Sequence, residues 1–177
     1  EYYKNKGMSG RGVRIMVVGI PNVGKSSFIN RMAGNSKAKV ENRPGVTRGN
    51  QWFKIDNELE LLDTPGVLWP KFDDVTVGQH LAYCGSIKDS ILDTEELACG
   101  LLGVLRKSYP ELLEQRYKLE ITPDEYMDNY DLLCEIGKKR GMKARGGDVD
   151  TERASAMLLE EFRNGKLGRI TLEKADA

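Results

Sequence analysis

The sequence predicts an α/β domain that is followed by a small all-α domain. Its 177 residues suit one large domain or two small ones, and an apolar share of 40% is enough for a core. A β-branched apolar run at Val13–Val18 leads into a glycine-rich loop and then a helical pattern. Strand-like runs stop near Phe72, and helical patterns follow. We therefore assign residues 1–90 to the α/β domain, as a partial domain, and 91–177 to the helical domain.

The glycine-rich loop, Gly19–Ser26, has the pattern Gly-x-x-x-x-Gly-Lys-Ser. Its glycines let successive backbone N–H groups point at phosphate oxygens, and the N-terminus of the next helix adds partial positive charge. Lys25 is placed to reach the β- and γ-phosphates, and the Ser26 hydroxyl to bind Mg²⁺. A glycine-rich turn with a chance lysine is the alternative, which the flanking strand and helix disfavour. The predicted nucleotide contacts are Pro21, Asn22, Val23, Gly24, Lys25, Ser26 and Ser27.

Local signals place the other elements of the α/β domain. The first strand should be buried on both faces of a sheet, because its residues are mostly apolar and β-branched. The first helix should run from about Lys25 to Ala33 and stop at Gly34. Two strand-like runs, 51–55 and 58–62, should form a hairpin with a two-residue turn at Asp56-Asn57.

Helix-start signals recur in the second half of the chain. Asp93 and Thr122 each open a capping box, and Pro123 suits a first helical position. The predicted helices are 75–83, about 94–108, 110–116, a segment opening at 122 and reaching about 140, and a last one from 150 to the stop at Gly165.

Bulk properties exclude few classes of protein. Lys plus Arg and Asp plus Glu are both 27, so the net charge does not indicate a nucleic-acid binder, although a neutral total can hide a basic face. No apolar run has the length of a membrane span. The three cysteines are far apart in the sequence, which favours reduced thiols. We expect a monomeric cytoplasmic protein without a membrane partner.

Two further motifs follow the phosphate loop. Arg-Pro-Gly-Val-Thr ends at Thr47, and Asp63-Thr64-Pro65-Gly66 closes the predicted hairpin. With the loop, they resemble GTPases of the translation-factor class. Asn22 within the loop, and the run Leu-Asp-Thr-Pro-Gly-Val-Leu-Trp-Pro-Lys-Phe at 62–72, are similar to the circularly permuted ribosome-assembly GTPases of the YlqF/RbgA type. This resemblance covers nearly the whole chain.

The resemblance implies roles for individual residues. Thr47 would bind Mg²⁺ and the γ-phosphate, Asp63 would hold Mg²⁺ through water, and the Gly66 N–H would meet the γ-phosphate. Lys25, Thr47 and Gly66 form the implied catalytic set. Asn22 would help to hold K⁺, or it is simply a turn residue.

Residue 67 is the position where many GTPases carry the glutamine that orients the attacking water. Val67 cannot do so, and intrinsic hydrolysis should therefore be slow unless a partner, a cation or a distant residue positions the water. The resemblance implies that a ribosomal particle stimulates it. Trp52 and Trp69 are expected to be core and switch-packing residues.

The guanine-reading motif Asn-Lys-x-Asp does not occur in the sequence; Asn5-Lys6-Gly7-Met8 lacks the aspartate. In the resembling family this motif precedes the phosphate loop, so we expect it upstream of Glu1. Guanine specificity is then implied by the resemblance alone.

A basic segment follows the predicted helix that ends near residue 140. It contains five cations and no acid between 138 and 145: Lys138, Lys139, Arg140, Lys143 and Arg145. Cations at a helix C-terminus and a solvated loop would account for it. The resemblance favours contact with ribosomal RNA.

Three functions remain open. The first is GTP hydrolysis as a switch in assembly of the large ribosomal subunit, with GTP or GDP and Mg²⁺ as ligands. The second is a signalling or transport GTPase whose helical tail binds protein. The third is a truncated module that no longer binds nucleotide.

Overall fold

The computed structural model describes residues 12–34, 45–121 and 127–173. Its strands are β1 (Val13–Val17), β2 (Gln51–Lys54) and β3 (Leu59–Asp63). Its helices are α1 (Lys25–Ala33), α2 (Val75–Tyr83), α3 (Thr94–Ser108), α4 (Pro110–Tyr117), α5 (Asn129–Lys139) and α6 (Thr151–Arg163), with a 3₁₀ turn at Asp89–Ile91. The predicted order, an α/β part followed by helices, is confirmed.

The three strands form one sheet in the order β1-β3-β2. The central strand β3 is parallel to β1 and antiparallel to β2. Val17 at the end of β1 is paired with Asp63 at the end of β3, and Asp63 also faces Gln51 at the start of β2. This register places three loops at the same end of the sheet: the loop after β1, the loop after β3 and the loop before β2.

The sheet has a small core against α1. Ile29 of α1 packs with Phe53 of β2 and Leu61 of β3, all nearly fully buried. The prediction that the first strand is buried on both faces is wrong: Val13 is 61% exposed and Met16 is 60% exposed. Within the described residues, β1 is an edge strand, and most of its side chains, which alternate between the two faces of the sheet, are left uncovered.

The hairpin between β2 and β3 is longer than predicted. Strand β2 ends at Lys54 and β3 begins at Leu59, so a four-residue connection, 55–58, replaces the predicted two-residue turn. The Asp56 carboxylate accepts a hydrogen bond from the Glu58 N–H at 2.7 Å. Such an Asx turn uses the aspartate in place of a tight hairpin turn.

The helices share a larger core, built mainly from leucines of α3, α5 and α6: Leu101, Leu102, Leu105, Leu132, Leu133, Leu158 and Leu159. Asp93 caps α3 by accepting from the Glu95 and Glu96 N–H groups, and Asp150 caps α6 through the Arg153 N–H. Both caps lie where the sequence predicts a helix start. The capping box predicted at Thr122 lies outside the described residues.

One charged side chain is buried in this helical core. Glu161 of α6 accepts hydrogen bonds from Arg116 Nε at 3.0 Å and from the Tyr117 hydroxyl at 2.9 Å. Arg140 lies 3.4 Å from the same carboxylate, and its guanidinium stacks 5.2 Å from the centre of the Tyr117 ring. The hydrogen bond from Arg116 lowers the pKa of Glu161, against the opposing effect of burial.

The chain divides into two compact units. One contains the described residues up to Lys71 together with Gly85–Ile87, and the other contains Phe72–Cys84 and the described residues from Lys88 onward. Helix α2 thus belongs to the helical unit, whereas the sequence-based division places it in the first domain. The functional division at residue 90 stays a prediction. None of the helices in the described part of the chain is both long and apolar enough to span a bilayer.

Candidate functional site

The phosphate loop joins β1 to α1 with a backbone that few residues can adopt. Asn22 has φ 60° and Gly24 has φ 91°, both in the left-handed region. Asparagine tolerates this region and glycine enters it without strain. Gly24 is the N-cap of α1 and has no side chain that could accept a hydrogen bond from the first N–H groups of the helix. These N–H groups therefore face the loop without a side-chain cap. This is the arrangement that a bound phosphate requires.

Lys25 folds back over the loop. Its Nζ donates a hydrogen bond to the Ile20 carbonyl at 2.8 Å. Burial lowers the pKa of Lys25, and the negative charge of Asp63 acts against that shift. The ammonium group is therefore held at the loop where the sequence predicts the β- and γ-phosphates.

Three predicted metal ligands meet beside the lysine, although they are distant in the sequence. Ser26 Oγ donates to Asp63 Oδ2 at 2.7 Å, and Thr47 Oγ1 lies 3.2 Å from Ser26 Oγ and 3.4 Å from Asp63 Oδ2. Asp63 is only 2% exposed, and its Oδ1 has no hydrogen-bond partner among the described residues. Mg²⁺ prefers oxygen ligands. This cluster offers two hydroxyl oxygens and a buried carboxylate, one oxygen of which accepts no hydrogen bond from the described residues.

The Asp63-Thr64-Pro65-Gly66 segment packs directly on the phosphate loop. Thr64 Oγ1 donates to the Val17 carbonyl at 2.7 Å, and the Val67 N–H donates to the Gly19 carbonyl at 3.4 Å. These two bonds hold the segment alongside the loop. Gly66 lies against the loop backbone at Pro21.

Val67 and Trp69 line an open cavity of about 550 Å³ beside Gly19 and Ile20. Val67 is 73% exposed, and its apolar side chain cannot orient a water molecule. Trp69 is also exposed, and so is Trp52, whose ring lies 5.1 Å from the Arg14 guanidinium. The prediction that both tryptophans are packed is wrong, since neither has enough described neighbours to cover it.

The short segment Gly85–Ile87, which follows α2, also contacts the phosphate loop. The Asn22 side-chain amide donates to the Gly85 carbonyl at 3.4 Å, and Ser86 Oγ donates to the Pro21 carbonyl at 2.8 Å. A Gly-Ser pair after a helix is too common to identify such a contact from sequence.

The five cations of the basic segment differ in the contacts that they make. Lys138 and Lys139 lie in the last turn of α5, whereas Arg140 is engaged with Glu161 and Tyr117. Lys143 forms an isolated antiparallel bridge with Val149. Four of the five cations, Lys138, Lys139, Lys143 and Arg145, are exposed and have no buried acidic partner like that of Arg140 in the described residues.

Comparison with known proteins agrees with this geometry. Residues 14–130 match the family of 50S ribosome-binding GTPases. Ribosome biogenesis GTPase A of Bacillus cereus is 48% identical over 95% of this chain and 56% of its own length. The protein of the same name from Bacillus licheniformis is 47% identical over 98% of this chain and 60% of its own length. The chain thus spans less than two thirds of these relatives.

Solved structures of YlqF match as well. The GDP-bound TM YlqF structure has a TM-score of 0.64 at 25% identity, covering 98% of this chain and 65% of that chain. The GNP-bound YlqF of T. maritima has a TM-score of 0.58 at 25% identity, covering 98% and 64%. The predicted phosphate-loop GTPase fold is confirmed. The chain belongs to the family of 50S ribosome-binding GTPases, and the relatives reported above carry the names ribosome biogenesis GTPase A and YlqF.

Proposed function

We propose that the protein to which this chain belongs binds and hydrolyses GTP as a switch in assembly of the large ribosomal subunit. The observation that carries this proposal is the meeting of Ser26, Thr47 and Asp63 beside Lys25. Three segments far apart in the sequence supply one oxygen cluster next to one ammonium group. The family and the names of its relatives supply the guanine nucleotide and the ribosomal setting.

Each residue has a chemical part in this proposal. Lys25 and the N-terminus of α1 neutralise charge on the β- and γ-phosphates, and the Gly66 N–H donates to the γ-phosphate. Ser26, Thr47 and Asp63 would hold Mg²⁺, which supplies charge neutralisation between the phosphates when bound. Because Val67 cannot position water, the intrinsic rate is slow and a ribosomal particle raises it.

Asn22 is proposed to hold a K⁺ ion against the phosphates. Its amide nitrogen is committed to the Gly85 carbonyl, which leaves the amide oxygen for a cation. Hydrolysis by the full-length protein should then be faster in KCl than in NaCl at equal ionic strength. Asn22→Ala should remove the difference, and equal native rates in both salts would exclude the K⁺ site.

The proposed partner is the large ribosomal subunit or its precursor. The exposed cations of the basic segment, Lys138–Arg145, would contact phosphates of ribosomal RNA. The setting is the cytoplasm, with the protein acting as a monomer. A signalling or transport GTPase would bind protein through the same helices and would not sediment with ribosomal subunits.

Removal of the lysine charge tests the nucleotide function. Lys25→Ala in the full-length protein should abolish GTP binding in calorimetry while circular dichroism stays native. Lys107→Ala, which removes an exposed lysine of α3, is the matched control and should bind normally. Native GTP affinity in Lys25→Ala would overturn the proposal. Absence of GTP binding by the unaltered full-length protein would favour a module without nucleotide function.

A further inference from the structure

We propose that Ser86 is a positioning residue for the phosphate loop. The consequence for nucleotide affinity rests on the proposed GTP function, whereas the consequence for the loop itself does not. Ser86 is 1% exposed and lies in the short Gly85–Ile87 segment, which belongs to the α/β unit although it is flanked by residues of the helical unit.

Two consecutive residues of this segment hold two consecutive residues of the loop. Ser86 Oγ donates to the Pro21 carbonyl at 2.8 Å, and the Gly85 carbonyl accepts from the Asn22 amide at 3.4 Å. Asn22 has a positive φ, a conformation that needs surrounding contacts to persist. The segment supplies these contacts on one side of the loop.

The Ser86 hydrogen bond also directs a backbone donor. The Pro21 carbonyl and the Asn22 N–H belong to one planar trans peptide, in which they point in opposite directions. A bond that holds the carbonyl towards Ser86 therefore turns the Asn22 N–H away from Ser86. This N–H is one of the loop amides available to a phosphate. Gly66 restricts Pro21 further, because its backbone lies against Pro21.

Hydrogen exchange of the nucleotide-free, full-length protein tests the loop directly. In Ser86→Ala, peptides covering residues 19–26 should exchange several-fold faster, while peptides from β3 and α3 keep their native rates. Ser155→Ala is the matched control, because Ser155 is equally buried and its hydroxyl has no hydrogen-bond partner among the described residues. It should leave loop exchange unchanged. Equal loop exchange in both variants would overturn the proposal.

Nucleotide affinity provides the second measurement. Loss of one hydrogen bond should raise the Kd for GDP about two- to ten-fold in Ser86→Ala. Ser86→Thr keeps the donor and should restore native affinity. If Ser86→Thr does not fold, loop exchange in Ser86→Ala decides alone. Because that exchange is measured without nucleotide, failure of the GTP function and failure of the Ser86 proposal are distinguishable.

Discussion

Gly66 lies so close to Pro21 that a Cβ atom added at residue 66 would be 2.4 Å from the Pro21 Cα. The same atom would be 2.5 Å from the Pro21 nitrogen. Both neighbours are backbone atoms and cannot rotate away. Glycine is therefore the only residue that fits the observed contact between the two loops.

Gly66→Ala should separate the two loops. We expect a cost of about 1–3 kcal/mol for the observed arrangement, as for other overpacked sites. The affinity for a non-hydrolysable GTP analogue should fall by more than the affinity for GDP, because Gly66 is proposed to contact the γ-phosphate alone. Gly49→Ala is the control, since a Cβ there meets no atom within 4 Å. Native affinity for both nucleotides in Gly66→Ala would contradict the contact.

Ser26 and Asp63 should set the Mg²⁺ requirement. Ser26→Ala and Asp63→Asn should each raise the Mg²⁺ concentration for half-maximal hydrolysis, by about tenfold or more. The physical reason is the loss of an oxygen ligand or of its charge from a cluster of only three side chains. Asp73→Ala removes an exposed carboxylate and should leave the requirement unchanged. An unaltered Mg²⁺ titration in Asp63→Asn would contradict the metal assignment.

Glu161 should make the helical unit sensitive to acid. The pKa of Glu161 is lowered in the folded protein, chiefly by the Arg116 hydrogen bond, relative to an ordinary value of 4.5. Its stabilising contribution is therefore complete above pH 4.5 and is lost as pH falls through the lower folded pKa. Urea unfolding followed across this acid range should show the loss.

The Glu161→Gln variant distinguishes the contribution of this carboxylate to acid sensitivity from that of the other acidic residues. It should lower the free energy of unfolding at pH 7 by about 2 kcal/mol. The estimate lies below the 3–5 kcal/mol of a fully buried pair because both guanidiniums are about one-third exposed. Its acid dependence should also be shallower than that of the native protein. Glu160→Gln, the exposed neighbour on the same helix, should match the native protein in both respects.

Binding to ribosomal subunits should depend on salt through the basic segment. Substitution of Lys138, Lys139, Lys143 and Arg145 by Ala should flatten the salt dependence of co-sedimentation, by about 0.7–0.9 in log–log slope for each lost phosphate contact. GTP affinity should not change. Arg140 stays in place because its loss would disturb the buried Glu161.

A control for this experiment removes four cations elsewhere: Lys71, Lys88, Lys107 and Arg153. It should keep the native salt slope if contact is local to the basic segment. Equal sedimentation of the basic-segment variant and the native protein across the salt series would show that the segment is only a solvated helix end.

The sequence predicts well those features that depend on neighbouring residues. Helix α1 was expected from Lys25 to Ala33 and is found there, because its start follows the phosphate loop and its stop is a glycine with φ 67° at Gly34. The meeting of Ser26 with Asp63 was expected only through the resemblance. Its structural cause is the parallel register of β1 and β3, which no local pattern specifies.

Features that depend on distant contacts could not be predicted. The sequence alone does not distinguish Glu161 from the other acidic residues of its amphipathic helix. In the structure, Arg116, Tyr117 and Arg140 all contact its carboxylate. The role of Ser86 depends on Pro21, which is far away in the chain. The burial of β1 was wrong for a related reason: composition indicates a preference for burial, whereas the presence of covering elements decides it.

The exposed first strand has a practical consequence for the isolated 177-residue polypeptide. Val13, Ile15 and Met16 are exposed on β1, and in the described residues the strand has a free hydrogen-bonding edge. An uncovered apolar edge strand can pair with the same strand of another molecule. The isolated polypeptide should therefore self-associate with rising concentration. Ile15→Lys, which places a charge on this strand, should keep it monodisperse in light scattering.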